Sequence, residues 1–228
     1  MVNAAIDRLP PHTTAGLWLA KKDVELARGD VEAAQGALDA IPPDQKIDYE
    51  FQRVWLLFFR RDFGAAQELA GKVSLETKKS FYFWILVGNI ARASGQAEQA
   101  TAAFEEARAR LVSALERRPE DAGLLSPLAT TYAGLGRNEE ALRAAHRAIE
   151  IRPIAQDAVG APDSALSLAQ VLAWTGDHEG ALKVIGDLVK IPFGPSYGDL
   201  KLSPMWDDLR SDPRFDQLLA AAKLPFVL

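Results

Sequence analysis

The six residues GRNEEA, from Gly136 to Ala141, are written again as GDHEGA from Gly176, GQAEQA from Gly95 and GDVEAA from Gly29. Each phrase places an alanine five residues after a glycine, with an apolar helical pattern on both sides. A glycine in the left-handed conformation ends a helix, and a small polar residue after it starts the next. Each phrase therefore predicts the tight turn of a helical hairpin. Its alanine falls one turn into the second helix, where the two helices meet. A weaker copy, RDFGAA, starts at Arg61 and has arginine in the glycine's place. A chain that repeats one hairpin must stack the copies, because a lone hairpin cannot bury its own apolar face.

The spacing of the alanines sets the unit. Ala34 to Ala66 is 32 residues, Ala66 to Ala100 is 34, Ala100 to Ala141 is 41 and Ala141 to Ala181 is 40. The excess in the third unit falls in FEEARARLVSALERRPE, which has no breaker before Pro119 and predicts a lengthened second helix. The excess in the fourth falls around AQDAVGAPD, a loop with Gly160 and Pro162.

With two helices per unit and a period near 34, the chain resembles the tetratricopeptide-repeat family. Leu125, Leu128, Ala129, Tyr132, Gly136, Ala141, Ala145, Ala148 and Pro153 hold the family's positions in the fourth unit, with Ala145 in place of a larger residue. The third unit matches at Trp84, Val87, Gly88, Gly95, Ala100, Phe104 and Ala107, and the fifth at Ala165, Leu168, Ala169, Leu172, Gly176, Ala181 and Ile185. Arg61 at the turn and Lys22 at a small-residue position depart from it. The resemblance covers roughly residues 13–190 and implies an all-α, right-handed superhelical solenoid. The expected organisation is one domain, 1–228, with five helix-turn-helix units at about 13–42, 45–75, 80–118, 121–153 and 162–190.

A two-helix cap is expected at 203–223. Ser203–Pro204 and Asp212–Pro213 each pair a capping residue with proline at the first helical position. Trp206, Leu209, Phe215, Leu218 and Leu219 would cover the last apolar face of the array. This tail resembles the ends of tetratricopeptide regions in bacterial multidomain signalling proteins, where they follow a protein-kinase, cyclase or winged-helix domain. The sequence shows no trace of those domains, and the resemblance suggests only a context.

Several function classes are excluded or left without support. The formal charge of -5, with cationic pairs scattered, argues against nucleic acid. The absence of cysteine removes disulfides, thiolate metal sites and cysteine nucleophiles. No apolar run approaches a membrane span, and the first residues show no signal-peptide core, so a cytoplasmic setting is expected. His12, His146 and His178 lack metal-site spacing. AGKVS at Ala70–Ser74 fails as a phosphate loop, having Ala66 for the first glycine and Val73 for Ser or Thr. Adjacent acids such as Glu105–Glu106 and Asp207–Asp208 read as solvated faces or caps. No cofactor, metal or catalytic residue is expected.

What remains is a surface. In the family the first helices line a concave face on which peptides lie. That register implies inward positions at Tyr82, Ile85, Asn89 and Arg92 in unit three, and at Ser126, Thr130 and Ala133 in unit four. In unit five they are Leu166, Gln170 and Trp174; in unit two the candidates are Trp55, Phe58 and Phe59. The run WLLFF reads first as core packing and second as a ligand platform. Asn89, Thr130 and Gln170 recur at one repeat position, as a hydrogen-bonding ladder would. Only Asn89 and Arg92 resemble the family's clamp for a carboxylate-ended peptide, so chaperone-tail binding is not expected. The leading expectation is a non-catalytic adaptor or scaffold that holds a protein segment, or another part of its own chain, in this groove. A structural or homo-oligomerisation module is the alternative, and an enzyme of unrecognised type ranks last.

Overall fold

The computed structural model describes residues 14–42 and 48–223. Among these the chain is helical, without a strand. Five hairpins follow one another. They are α1 (Ala15–Ala27) with α2 (Val31–Asp39), α3 (Tyr49–Phe59) with α4 (Phe63–Lys72), and α5 (Phe81–Ala93) with α6 (Ala97–Arg117). Then come α7 (Ala122–Gly134) with α8 (Asn138–Ile151), and α9 (Ala161–Trp174) with α10 (His178–Leu188). Residues 1–13, with His12, lie outside the described part.

The repeated phrase makes one and the same turn five times. In each, an N–H donates to the carbonyl five residues back: Asp30 to Glu25, Asp62 to Leu57, Gln96 to Ala91, Arg137 to Tyr132 and Asp177 to Leu172. This closing bond needs a left-handed residue just before the donor. Gly29, Gly95, Gly136 and Gly176 supply it with φ of 78°, 74°, 72° and 92°. Arg61 supplies it at φ 61°, without a glycine's freedom. Asp30, Asp62 and Asp177 then cap the second helix by accepting from Ala33, Ala65 and Gly180 N–H. Gln96 and Arg137 make no such cap, so the capping expected of the residue after the glycine holds only where it is aspartate.

Small residues set the packing. Ala100, Ala141 and Ala181 are buried where each hairpin closes. Phe104 of α6 lies between two glycines: a Cβ built on Gly88 would come within 2.6 Å of its ring, and one on Gly134 within 2.5 Å. Both helices of unit three and the first helix of unit four thus close on a single aromatic ring. The lengthened helix before Pro119 is α6, at 21 residues. Lys22, odd for its position, is buried and donates from Nζ to Gln52 Oε1 at 2.8 Å, tying α1 to α3.

The tail differs from the expected pair of helices. An additional short helix, α11 (Tyr197–Leu202), comes first, with Ser196 accepting from Asp199 N–H. Ser203 does start a helix at Pro204, but it is a six-residue 3-10 helix, Pro204–Leu209. Asp212 caps α12 (Pro213–Ala222) as its Asp-Pro pair predicts. Leu200, Trp206, Leu209 and Phe215 are fully buried with Ala169, Ala173, Ala181, Leu182 and Ile185 of the fifth unit. The tail therefore caps the array, and it also does something the sequence did not suggest.

Candidate interaction surface

The first-helix face is not empty along its length. From Ser196 to Arg210 the tail lies as a strap across the C-terminal ends of the first helices. At unit one, Tyr197 packs on Gly29, and Lys201 Nζ donates to the Gly29 carbonyl at 3.2 Å. At unit two, the Arg61 guanidinium makes a two-pronged contact with Asp207, at 2.7 and 2.5 Å. At unit three, Asn89 Nδ2 lies 3.5 Å from Met205 Sδ, and Arg92 pairs with Asp208 at 2.5 Å. At unit five, the Trp174 indole N–H donates to the Met205 carbonyl at 3.0 Å. Arg92 also stacks over the Trp174 ring, 4.2 Å from its centroid, so units three and five meet directly at this end.

Electrostatics follow from these contacts. Partial burial alone would raise the Asp207 carboxyl, but hydrogen bonds from Arg61 and Arg210 outweigh it and hold it below the ordinary value. Arg61 is raised by its bond to Asp207. Asp199 behaves oppositely. Burial pushes it up to about 6, and the Trp206 indole N–H opposes this only in part. Its Oδ2 and the Trp206 Nε1 are both buried without a close hydrogen-bond partner.

The expected site residues separate into three groups. Asn89, Arg92 and Trp174 do share one surface, but it is covered by the chain's own strap rather than open to a peptide. The expected ladder of Asn89, Thr130 and Gln170 does not face an open groove: all three are buried, as is Ser126. The Ser126 hydroxyl is 2.9 Å from the Ser164 hydroxyl of α9, and Thr130 bonds back to the Pro127 carbonyl within its own helix. Contact between α7 and α9 thus consumes the Ser126 hydroxyl, and the α7 backbone that of Thr130. Trp55 and Phe59 belong to the aromatic cluster with Phe58, Phe63 and Phe83, so WLLFF is core, as its first reading has it. Ile85 is half-buried against Leu111, Leu124 and Leu128, and Leu166 against the tail's core.

Only Tyr82 stands clear, at 55% exposure. Its ring lies 4.2 Å from that of Phe81. Beside it Lys79, Arg110 and Arg117 line a surface cleft of about 560 Å³, with Ser80, Ala109 and Ser113. The cleft exists because α6 continues beyond its partner helix. Arg110 is held by Glu106 and stacks on Trp84. His146 and His178 are exposed. Among the described residues no cluster of three metal-binding side chains occurs, and no helix is long and apolar enough to cross a membrane.

Sequence reasoning missed Arg61, Met205, Asp207 and Asp208. The available signal was Arg61 itself, a bulky residue in a turn that every other copy writes with glycine.

Stacked helical hairpins of this length, joined by the same closed turn, define a class of fold: an all-α solenoid of the tetratricopeptide-repeat kind. Residues 122–152, the fourth unit, match the tetratricopeptide-repeat profile. Among solved structures, a thermophilic tetratricopeptide-repeat protein of Thermus thermophilus shares the fold at TM-score 0.50 and 17% identity, over 91% of this chain and 100% of that one. The TPR2AB domain of yeast Sti1, in a complex with pHSP90, aligns at TM-score 0.36 and 13% identity, over 92% and 98%. Compared with curated proteins, the sequence gives no significant match.

Proposed function

We propose that the protein is a non-catalytic interaction module whose partner-binding surface is the cleft between Tyr82 and the free end of α6. The observation that carries this reading is the exposure of Tyr82 beside three cationic side chains, on a face whose other end the strap covers. A large ring that is exposed on one side and backed by another ring offers apolar area with little entropy to lose. Arg117 would favour a carboxylate near that contact, Lys79 and Arg110 being paired already with Glu76 and Glu106. The partner is thus a protein segment with an apolar side chain next to an acidic one. A cytoplasmic setting rests on the apolar pattern of the sequence, and a place in a longer signalling chain on the resemblance of the tail.

The test is a pull-down with the full chain, followed by quantified binding of each captured protein to Tyr82→Ala and Arg117→Ala variants. Both positions are at the surface, so both variants should fold. Binding lost in Tyr82→Ala supports the surface; affinity unchanged in both variants removes it.

A further inference from the structure

The strap meets the rest of the molecule through two unlike surfaces. Its large apolar side chains, Leu200, Trp206, Leu209 and Phe215, share one core with the fifth unit. Toward units one to three it makes polar contacts with lighter apolar packing. Lys201 lies on the Gly29 carbonyl, Asp207 on Arg61 and Asp208 on Arg92. Tyr197 and Gly198 lie against the backbone of unit one, and the partly buried Met205 against the core of units two and three. The four paired side chains keep between 31% and 43% exposure. Exposed ion pairs stabilise weakly and fade with salt, whereas drawing four large apolar groups out of a core is strongly unfavourable. When the strap parts from the array, it parts from units one to three and stays with unit five.

Arg61 gives a second, independent sign. It adopts φ 61° where the other four turns use glycine. A side chain in the left-handed region is strained, and such strain persists where the surrounding structure and function hold it. The residue under strain is the one that reaches Asp207, 146 positions along the chain.

We propose that the strap is a latch hinged on the fifth unit. The Arg61–Asp207 and Arg92–Asp208 pairs hold it closed over the C-terminal ends of the first helices. Their release lets the strap part from this more lightly packed seam, Met205 included, and uncovers Asn89, Arg61 and Arg92. The protein then has a closed state, with only the Tyr82 end of the first-helix face free, and an open state that presents both ends. Because a solenoid's curvature is the sum of small rotations between units, little local change is needed to open the seam.

The chain has no cysteine, so two introduced cysteines can carry spin labels at chosen places only. Glu68→Cys with Ser211→Cys spans the seam, and Lys183→Cys with Ser211→Cys spans the hinge side; all three positions are exposed. Distances are measured from low to 1 M salt, in the otherwise native chain and with Asp207→Ala plus Asp208→Ala. Arg61→Gly is the second variant, because it restores the glycine that the other turns use and keeps the hairpin intact. Salt and both variants should raise a longer-distance population across the seam by roughly three- to tenfold, the change implied by losing one or two exposed ion pairs. The hinge-side distance should not change. A seam distance indifferent to salt and to both variants would overturn the latch, as would a hinge-side distance that lengthens with it. The readout needs no partner, so a failed pull-down and a failed latch are separate results.

Discussion

Replacing Trp206 by alanine should remove most of the strap's hold on the fifth unit. The side chain is 1% exposed and sits among Ala169, Ala181, Ile185, Leu209 and Phe215. A buried tryptophan removes roughly 150–250 Å² from water, worth about 4–6 kcal/mol at about 25 cal/mol per Å². Alanine keeps a small part of that, and core Trp→Ala changes cost about 3–5 kcal/mol. One feature reduces the loss: Nε1 is buried without a close partner, so the native indole already carries a desolvation cost of about 1 kcal/mol. The expectation is therefore about 3 kcal/mol, near the lower end. Trp206→Phe separates the parts, since it keeps most of the apolar area and deletes the N–H; it should cost less than half as much. Equilibrium unfolding in urea, followed by far-ultraviolet circular dichroism, measures both. A loss below about 1 kcal/mol for Trp206→Ala would refute the burial argument, because no relaxation of this core could recover so much area.

Further outcomes test other parts of the account. Ala141→Leu should overpack the hairpin of the fourth unit and cost about 1–3 kcal/mol, read as a lower midpoint in the same titration. Gly134→Ala should do the same by driving a methyl into the Phe104 ring, and pairing it with Phe104→Leu should recover part of the loss. Asp199, pushed up to about 6 by burial, binds a proton more readily in the folded chain than in the unfolded one. Its contribution is complete below the ordinary carboxylate value near 4 and is lost as pH rises through about 6. The native chain should thus gain on the order of 2–3 kcal/mol from this group between about pH 7 and pH 4, and Asp199→Asn should flatten that part of the stability profile. A truncation after Lys190 should expose the apolar side of α9 and α10 and aggregate; a soluble fragment that melts at the native temperature would show that the tail is not a cap.

The hairpins were legible because their signal is local and written several times. Glycine, then aspartate, then alanine fixes a turn, a cap and a close contact within six residues, and the spacing does the rest. The lengthened α6 was legible for the same reason, as an excess over the period with no breaker in it. The surface was not. Ser126 and Thr130 face the groove by register, but they are buried, Ser126 against Ser164 of α9. How closely α9 packs on α7 is a property of the folded array rather than of the local sequence. The strap left less trace still. Arg61 and Asp207 are 146 residues apart, and no local pattern links them. Adjacent aspartates such as Asp207–Asp208 read in isolation as a solvated face or a cap. Only the left-handed turn at Arg61 marked the place.

The most direct test of the docked strap is a double-mutant cycle between Arg61 and Asp207, using Arg61→Asn, Asp207→Asn and the double variant. Asparagine tolerates the left-handed turn, and any change in backbone strain cancels around the cycle. Chemical unfolding at low salt should give a coupling of about 0.3–1 kcal/mol, because the pair is two-pronged but partly exposed, and the coupling should shrink at about 1 M salt. Additive losses, with no coupling at low salt, would contradict the strap's position across the second unit.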